Sequence, residues 1–326
     1  MDSRRVGPFE VSAIGLGCMS LSHAYGTPPP REQAERVLLG ALEAGYTFLD
    51  TAAVYGLGHN ETLVGEVLKG RRSDFVLASK CGLTNGDRRE INGRPEVLKA
   101  TCEDSLRRLQ TDVIDLYYLH RWDKRVPIEE SVGALADLVR EGKIRTIGLS
   151  EVSAPTLRRA HAVHPIAALQ TEYSPWTRNP EIAVLDACRE LDVAFVAFSP
   201  VARGFLAGGV RDLARLEPGD LRLNMPRFQG GNFEKNLALL DRFEALARDA
   251  DCTPAQLCLA WLLARDEIIV PIPGTTSPDH MRENAAAADV RLTPEVIARV
   301  DALVNSETVA GPRYSPALQA TIDTEG

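Results

Sequence analysis

Short apolar runs alternate with amphipathic helical stretches along almost the whole of this 326-residue chain, and that rhythm limits what it can fold into more than any other feature. Parallel strands are buried on both faces and need a long crossover between them, so the alternation predicts a parallel sheet covered by helices. The strand candidates number eight: Ala13 to Cys18, Thr47 to Asp50, Phe75 to Lys80, Val113 to His120, Ile144 to Ser150, Ile166 to Thr171, Val193 to Ser199 and Ile268 to Ile272. Helical stretches such as Arg31 to Ala44, Pro95 to Leu109, Ile128 to Arg140, Pro180 to Glu190 and Pro278 to Ala287 lie between them. Several open on proline, whose missing N–H costs nothing in a first turn. Eight such units predict an α/β chain folded as a (β/α)8 TIM barrel.

Two segments depart from the rhythm. Arg4 to Val11 reads as a hairpin turning at Gly7 and Pro8, placed to close the bottom of the barrel. Between the seventh and eighth strands lies an insertion of about 35 residues containing Gly208, Gly209, Pro218, Gly219, Pro226, Gly230 and Gly231. A connection that long is usually functional, and a lid is expected there. No biased linker or short repeat divides the chain, so residues 1–326 are expected to form one barrel domain.

Composition narrows the function. The formal charge of -8 comes without a lysine run or basic patch, which argues against nucleic acid as a partner. No apolar stretch is long enough to span a membrane, and Met1 to Arg5 lack an apolar segment behind them, so a cytoplasmic protein is expected. The six cysteines form no CxxC pair and read as reduced, mostly buried residues. His161 and His164 find no third ligand at a usable spacing, so no metal is expected.

In a parallel barrel the carboxyl ends of the strands share one mouth, and reactive side chains gather there. Asp50 ends the second strand candidate, Lys80 the third and His120 the fourth, while Tyr55 lies on the loop after Asp50. A phenol with an ordinary pKa near 10 is a proton donor at neutral pH, and a lysine cation beside it is expected to pull that value toward neutrality. A buried lysine tends to lose its proton, and the Asp50 carboxylate would keep Lys80 charged. His120 can donate an N–H to a substrate oxygen as charge develops on it. Singly, each residue has an ordinary structural explanation: a strand-to-turn cap for Asp50, a snorkelling stem for Lys80, a satisfied rim residue for His120. Together they suit carbonyl reduction better than acyl transfer, because no strong nucleophile sits beside a base.

The runs GLGCMS (Gly15 to Ser20), DTAAVYG (Asp50 to Gly56) followed by Asn60, Glu61 and Gly65, and DLYYLHR (Asp115 to Arg121) resemble the aldo-keto reductases. So do IGLSE (Ile147 to Glu151), QTEYSPWTR (Gln170 to Arg178), FSPVARGFL (Phe198 to Leu206) and IPGT (Ile272 to Thr275). The likeness spans roughly residues 5 to 305 and is strongest to the branch containing the plant alkaloid reductase perakine reductase. It implies that Asp50, Tyr55, Lys80 and His120 form a catalytic tetrad. It also implies a nicotinamide cofactor, its carboxamide held by Ser150 and Gln170 and its face stacked on Phe198. By the same resemblance Cys18, Met19 and Asp50 lie near the ribose. Backbone groups from Ser199 through Val201 to Arg203, with the Arg203 guanidinium, face the pyrophosphate. Gly274, Thr276, His280, Glu283 and Asn284 receive the adenosine end.

One departure from the family pattern bears on the choice of cofactor. Many relatives carry Lys or Arg just after the IPGT-like strand, where this chain has Thr276, Ser277 and His280, with Arg282 the fixed cation nearby. NADPH is expected, with NADH as the alternative. Backbone N–H groups at the helix start near Ser277 and Pro278, and Arg227 in the lid, would supplement the weak clamp.

Other readings fail on particular residues. The last glycine of a GxGxxG fingerprint is replaced by Ser20, no tyrosine has Lys four residues on, and Arg71 and Arg72 stand where a P-loop needs Lys and Ser or Thr. Ser150 lacks the second glycine of a nucleophile elbow. The expected activity is NADPH-dependent reduction of an aldehyde or ketone. The alternatives are a cofactor-sensing regulatory subunit resembling potassium-channel β-subunits, or an NAD-dependent alcohol dehydrogenase. Met19, Tyr25, Trp122, Trp176 and Phe228 are expected to line the pocket and to favour an apolar or aromatic small-molecule carbonyl.

Overall fold

The computed structural model describes residues 1–85 and 89–325. A hairpin of β1 (Ser3–Val6) and β2 (Phe9–Ser12) opens the chain and turns at Gly7 and Pro8, as the sequence predicts. The barrel begins with β3 (Leu16–Gly17), β4 (Phe48–Asp50) and β5 (Val76–Cys81). A second pair, β6 (Leu83–Asn85) and β7 (Arg89–Ile91), rises beyond β5. Then come β8 (Ile114–Leu119), β9 (Ile144–Ser150), β10 (Ile166–Glu172), β11 (Ala194–Phe198) and β12 (Ile269–Pro271).

Among the described residues one parallel sheet runs in the order β3, β4, β5, β8, β9, β10, β11, β12. Its edges meet where the Gly15 N–H donates to the Pro271 carbonyl at 2.9 Å and the Gly17 N–H to that of Pro273 at 3.2 Å. The result is the expected (β/α)8 barrel. β3, β4, β8, β11 and β12 are shorter than the apolar runs that announced them, whereas β9 coincides with its run, β5 is shifted by one residue and β10 extends one residue farther. Ser199 falls outside β11 because its φ of 51° leaves the extended region.

The covering helices are α1 (Arg31–Glu43), α2 (His59–Leu68), α3 (Pro95–Leu109), α4 (Ile128–Arg140), α5 (Ala154–Val163), α6 (Val184–Glu190), α7 (Gly231–Asp249), α8 (Pro254–Arg265), α9 (Pro278–Ala286) and α10 (Pro294–Leu303). A short α11 (Pro316–Gln319) lies near the C-terminus. Prolines start α3, α8, α9 and α10, and Thr253 and Gln256 close a capping box on α8. The expected helix from Pro180 to Glu190 is interrupted, because Ala183 adopts φ -155° between a turn at Asn179–Glu181 and α6.

Side chains alternate across each strand, so the barrel has two apolar layers. Outward residues such as Leu49, Leu77, Leu119, Leu149 and Phe195 pack under the helices. Inward residues Phe48, Ala78, Leu116, Ala168, Val196 and Val270 fill the interior, with Val6, Phe9 and Val11 of the hairpin stoppering its floor. The next inward positions toward the carboxyl ends are polar, and the site is built on them.

The insertion after β11 is folded rather than open. Single helical turns at Ala202–Gly204, Leu213–Arg215, Leu221–Asn224 and Pro226–Phe228 punctuate it, and Val210, Met225 and Phe228 are buried. It reaches across the mouth to the loop after β3. The Leu221 N–H donates to Ala24 O at 3.0 Å, and Thr27 donates its N–H and hydroxyl to Glu217, each at 2.6 Å.

Candidate active site

Asp50, Lys80, His120, Ser150, Gln170 and Phe198 each lie at or just past the carboxyl end of a different barrel strand. Tyr55 stands on the loop after β4, in a tight turn whose Gly56 has φ 56°. A Cβ on Gly56 would come within 2.9 Å of Ser22 Cβ, so the turn needs glycine for both its dihedral and its space.

The Lys80 ammonium is completely buried and divides its three protons among Asp50 Oδ1, the Thr51 carbonyl at 2.7 Å and the Tyr55 hydroxyl at 3.2 Å. The other Asp50 oxygen accepts from Gln170 Nε2 at 2.7 Å. Lys80 Nζ also lies 4.9 Å from the centre of the Tyr55 ring, within cation–π range. His120 meets Tyr55 edge to face, with ring centres 5.9 Å apart. The structure thus brings together all four residues of the expected tetrad.

The electrostatics differ from expectation at Tyr55. Burial raises its hydroxyl above the ordinary phenol value, and the charges of Lys80 and Arg121 only partly offset this. The lysine therefore does not bring Tyr55 near neutrality in this state, and the phenol stays protonated at physiological pH. Burial also raises Asp50, against the pull of Lys80 and Gln170. Lys80 lies above its ordinary value, because its partners Asp50 and Tyr55 outweigh the burial that opposes them.

A second layer holds the tetrad. Asn60 donates to Cys18 O and Ser22 Oγ, both at 2.8 Å, and accepts from Thr51 Oγ1 at 2.6 Å. Glu61 accepts from Ser79 Oγ at 2.5 Å and from Arg108 Nε at 2.7 Å. Gly148 leaves room for Tyr118, since a Cβ there would lie 2.3 Å from the Tyr118 ring.

Residues 13–305 match the aldo/keto reductase family. The chain belongs to that family. Among solved structures it is similar to a glycerol dehydrogenase of Gluconobacter oxydans, at 30% identity over 97% of this chain and 98% of that one, with a TM-score of 0.86. It is likewise similar to an aldo-keto reductase of Bacillus halodurans in its holo form, at 31% identity over 94% and 97% of the two chains and a TM-score of 0.78. An aldo/keto reductase of Klebsiella pneumoniae, solved with NADP and acetate, matches at 29% identity over 96% and 99%, with a TM-score of 0.72. The enzyme is an NAD(P)H-dependent oxidoreductase of the carbonyl-reducing kind.

The expected cofactor residues fall into three groups. Ser150 and Gln170 face each other in register on β9 and β10, and Cys18 and Met19 follow β3. Beyond Phe198, Ser199 has φ 51° and the consecutive residues Ala202, Arg203 and Gly204 are all left-handed, at 54°, 59° and 83°. Such a run stores strain, and within it the Ala202 N–H donates to Ser199 O at 2.9 Å and the Gly204 N–H to Val201 O at 3.1 Å. The Arg203 guanidinium is paired with Glu172 and donates to Tyr314 Oη at 3.2 Å. Farther round, Thr276 accepts from Gln33 Nε2 at 2.7 Å and Ser277 caps α9 by accepting from the His280 N–H. Glu283 and Asn284 follow on α9. The exposed Arg282 is tied to Asp279.

The expected pocket aromatics are mostly packed away. Trp176, Phe205, Phe228 and Phe233 form one closed cluster. The Trp122 indole donates to Val126 O at 2.9 Å with Arg159 over its ring, and Tyr25 lies under Arg222. Met19 alone of the five packs with Ala52, Val54, Tyr55 and Leu83 beside the tetrad.

The structure adds residues that the sequence reading left out. His23 lies 5.4 Å from the Tyr55 ring, and Arg121 Nη1 donates to Ser150 Oγ at 3.1 Å. Arg313 joins Glu151 and Glu172 beneath Tyr314. Glu151, Glu172 and Arg121 stand inside the quoted motifs, and a carboxylate at a barrel strand end was the signal available for the first two.

Proposed function

We propose that this enzyme reduces an apolar aldehyde or ketone with NADPH, Tyr55 serving as the general acid. The observation that carries the reading is the fully buried Lys80 ammonium donating to Asp50, Thr51 and Tyr55 at once. That arrangement fixes the Tyr55 hydroxyl, and its proton is retained at neutral pH. When bound, a reduced nicotinamide supplies the hydride to the carbonyl carbon. Tyr55 gives its proton to the oxygen, and Lys80 stabilises the phenolate left behind. His120, edge-on to the Tyr55 ring, orients the carbonyl oxygen toward that hydroxyl.

The residues at the strand ends fit the carboxamide of such a cofactor. Gln170 spends an N–H on Asp50, which leaves its oxygen free to accept from the amide nitrogen. Ser150 accepts from Arg121, which leaves its hydroxyl proton for the amide oxygen. Backbone groups from Ser199 through Val201 to Arg203 face the pyrophosphate, with the guanidiniums of Arg203 and Arg227 beside it. Cys18, Met19 and Asp50 border the ribose. Gly274, Thr276, His280, Glu283 and Asn284 form the adenosine end, within a barrel domain spanning the chain.

Preference for NADPH over NADH should be small, because Arg282 is engaged by Asp279 and Ser277 already caps the α9 N–H of His280. Efficiencies measured side by side should differ by no more than about tenfold in favour of NADPH, equivalent to about 1.4 kcal/mol. Equal or better efficiency with NADH would overturn the NADPH assignment. That weak clamp favours a second reading, an NAD-dependent alcohol dehydrogenase, and the name of the Gluconobacter neighbour points the same way.

Leu57 is 79% exposed two residues beyond Tyr55, and with Met19 it gives the entrance an apolar lip that fits apolar carbonyls. The decisive experiment is Tyr55→Phe assayed over a carbonyl panel. Turnover should fall by about 10²- to 10⁴-fold with cofactor affinity nearly unchanged, and substantial retained turnover would refute Tyr55 as the acid. A wild-type protein that binds NADPH yet turns over no carbonyl would favour the regulatory-subunit reading. Placement in the branch containing perakine reductase rests on the sequence motifs alone.

A further inference from the structure

The turn that carries Tyr55 is strained, and it rests on a side chain from another element. Gly56, Leu57 and Gly58 are consecutive and all left-handed, at φ 56°, 57° and 89°. Leu57 has a Cβ, so its place in that run costs energy and persists only where the surroundings over-determine it. On one side the turn meets Ser22, packed against Gly56. Asn60 Nδ2 donates to Ser22 Oγ at 2.8 Å, and His59 Nδ1 lies 2.9 Å from the same hydroxyl. On the other side the turn meets Arg108, from the last turn of α3.

Arg108 is held at both ends. Its backbone is fixed because α2 sits directly on it: a Cβ at Gly65 would lie 2.4 Å from the Arg108 carbonyl oxygen. Its Nε donates to Glu61 Oε2 at 2.7 Å, and that carboxylate is fully buried. Between these anchors the arginine side chain runs past Gly58, where a Cβ would come within 2.8 Å of Arg108 Cδ and 3.0 Å of Nε. The other Glu61 oxygen accepts from Ser79 Oγ at 2.5 Å, and Ser79 precedes Lys80 on β5. One carboxylate therefore links the side chain beneath the Tyr55 turn to the strand that carries Lys80. Of the three bonds that Lys80 donates, the one to Tyr55, at 3.2 Å, is the longest, so it is the first to be lost if the turn shifts.

We propose that Arg108 is a positioning residue for Tyr55: anchored by Glu61, it holds the left-handed turn where the Tyr55 hydroxyl meets Lys80. Arg108 acts through Gly58 and not on the reacting atoms. The shape of the guanidinium matters as much as its charge, because Gly58 packs against a group that Nε fixes to Glu61. The effect on turnover rests on the reading of Tyr55 as the general acid, whereas the effect on the turn does not.

The test compares Arg108→Ala with the wild type in two ways, by steady-state kinetics over the carbonyl panel and by amide hydrogen exchange in the peptide from Val54 to His59. In the variant kcat should fall by about 10- to 100-fold, with KM for the carbonyl and affinity for NADPH nearly unchanged, as when a reacting group is misplaced. Exchange in the turn should quicken. The arginine side chain is 28% exposed, so added methylguanidinium can reach its place; it should restore part of kcat and slow the exchange again, while methylammonium should do neither. Arg108→Ala strands the Glu61 carboxylate, so the double variant Arg108→Ala with Glu61→Gln is measured beside it. That protein carries no buried unpaired charge at this point, and it should show the same fall in kcat and the same quicker exchange. Unchanged exchange in the turn of either folded variant would overturn the proposal, and so would unchanged kcat where the wild type is active. Quicker exchange in the variants of a protein that reduces no carbonyl would support the role of Arg108 in the turn and count against the reductase reading instead.

Discussion

Lys80 is buried at the centre of the site, and its charge is tolerable only because Asp50, the Thr51 carbonyl and Tyr55 take all three of its protons. Lys80→Met should therefore do more than abolish turnover. It strands the Asp50 carboxylate in the barrel interior, and urea unfolding should show a loss of about 3–5 kcal/mol. Adding Asp50→Asn should restore part of that stability without restoring activity. Glu172 makes a separate prediction about pH. Burial pushes its carboxyl upward, but Arg203, Arg313 and Arg227 outweigh this and hold it at about 2, below its ordinary value of 4.5. A depressed carboxylate contributes stability above the unfolded-state pKa and loses it as pH falls through the folded-state value. The acid limb of a Tm-versus-pH curve should therefore steepen between about pH 4.5 and 2, by about 3 kcal/mol in all. Glu172→Gln should flatten that limb.

At the scale of strands and loops, the inward alternation of each strand made the tetrad legible from sequence. Asp50, Lys80 and His120 had to converge once their runs were read as neighbouring strands of a barrel. Gly148 belongs to the same alternation, and its place is taken sterically by Tyr118. Gly148→Ala should cost about 1–3 kcal/mol by overpacking, seen as a shifted denaturation midpoint. Two things stayed hidden. Trp176 and Phe228 are apolar whether they line a pocket or fill a cluster, and only packing with Phe205 and Phe233 decided between the two. Arg313 meets its carboxylates across 141 and 162 residues of sequence, and it comes from the tail beyond the recognisable motifs. Nor does a sequence announce that burial raises Tyr55 more than Lys80 lowers it, since that balance depends on how completely the loops cover the ring.

At the scale of the whole molecule, the tail after α10 works as a strap across the mouth. Beyond Arg313, the Asp323 carboxylate accepts from Ser153 Oγ at 2.9 Å and Thr156 Oγ1 at 2.7 Å, and Lys124 donates to Ile322 O at 2.8 Å. The barrel itself is joined by the backbone bonds from Gly15 to Pro271 and from Gly17 to Pro273, near opposite ends of the chain. That seam has a consequence for biosynthesis. Until Pro271 and Pro273 leave the ribosome, β3 has no partner on its outer side, and every shorter nascent chain presents a bare parallel edge. Contacts of such long sequence separation close late, so nascent intermediates remain aggregation-prone for most of translation. Refolding from urea, followed by tryptophan fluorescence, should show a slow final phase that speeds little when the C-terminal strap is deleted, because the seam rather than the strap sets its rate.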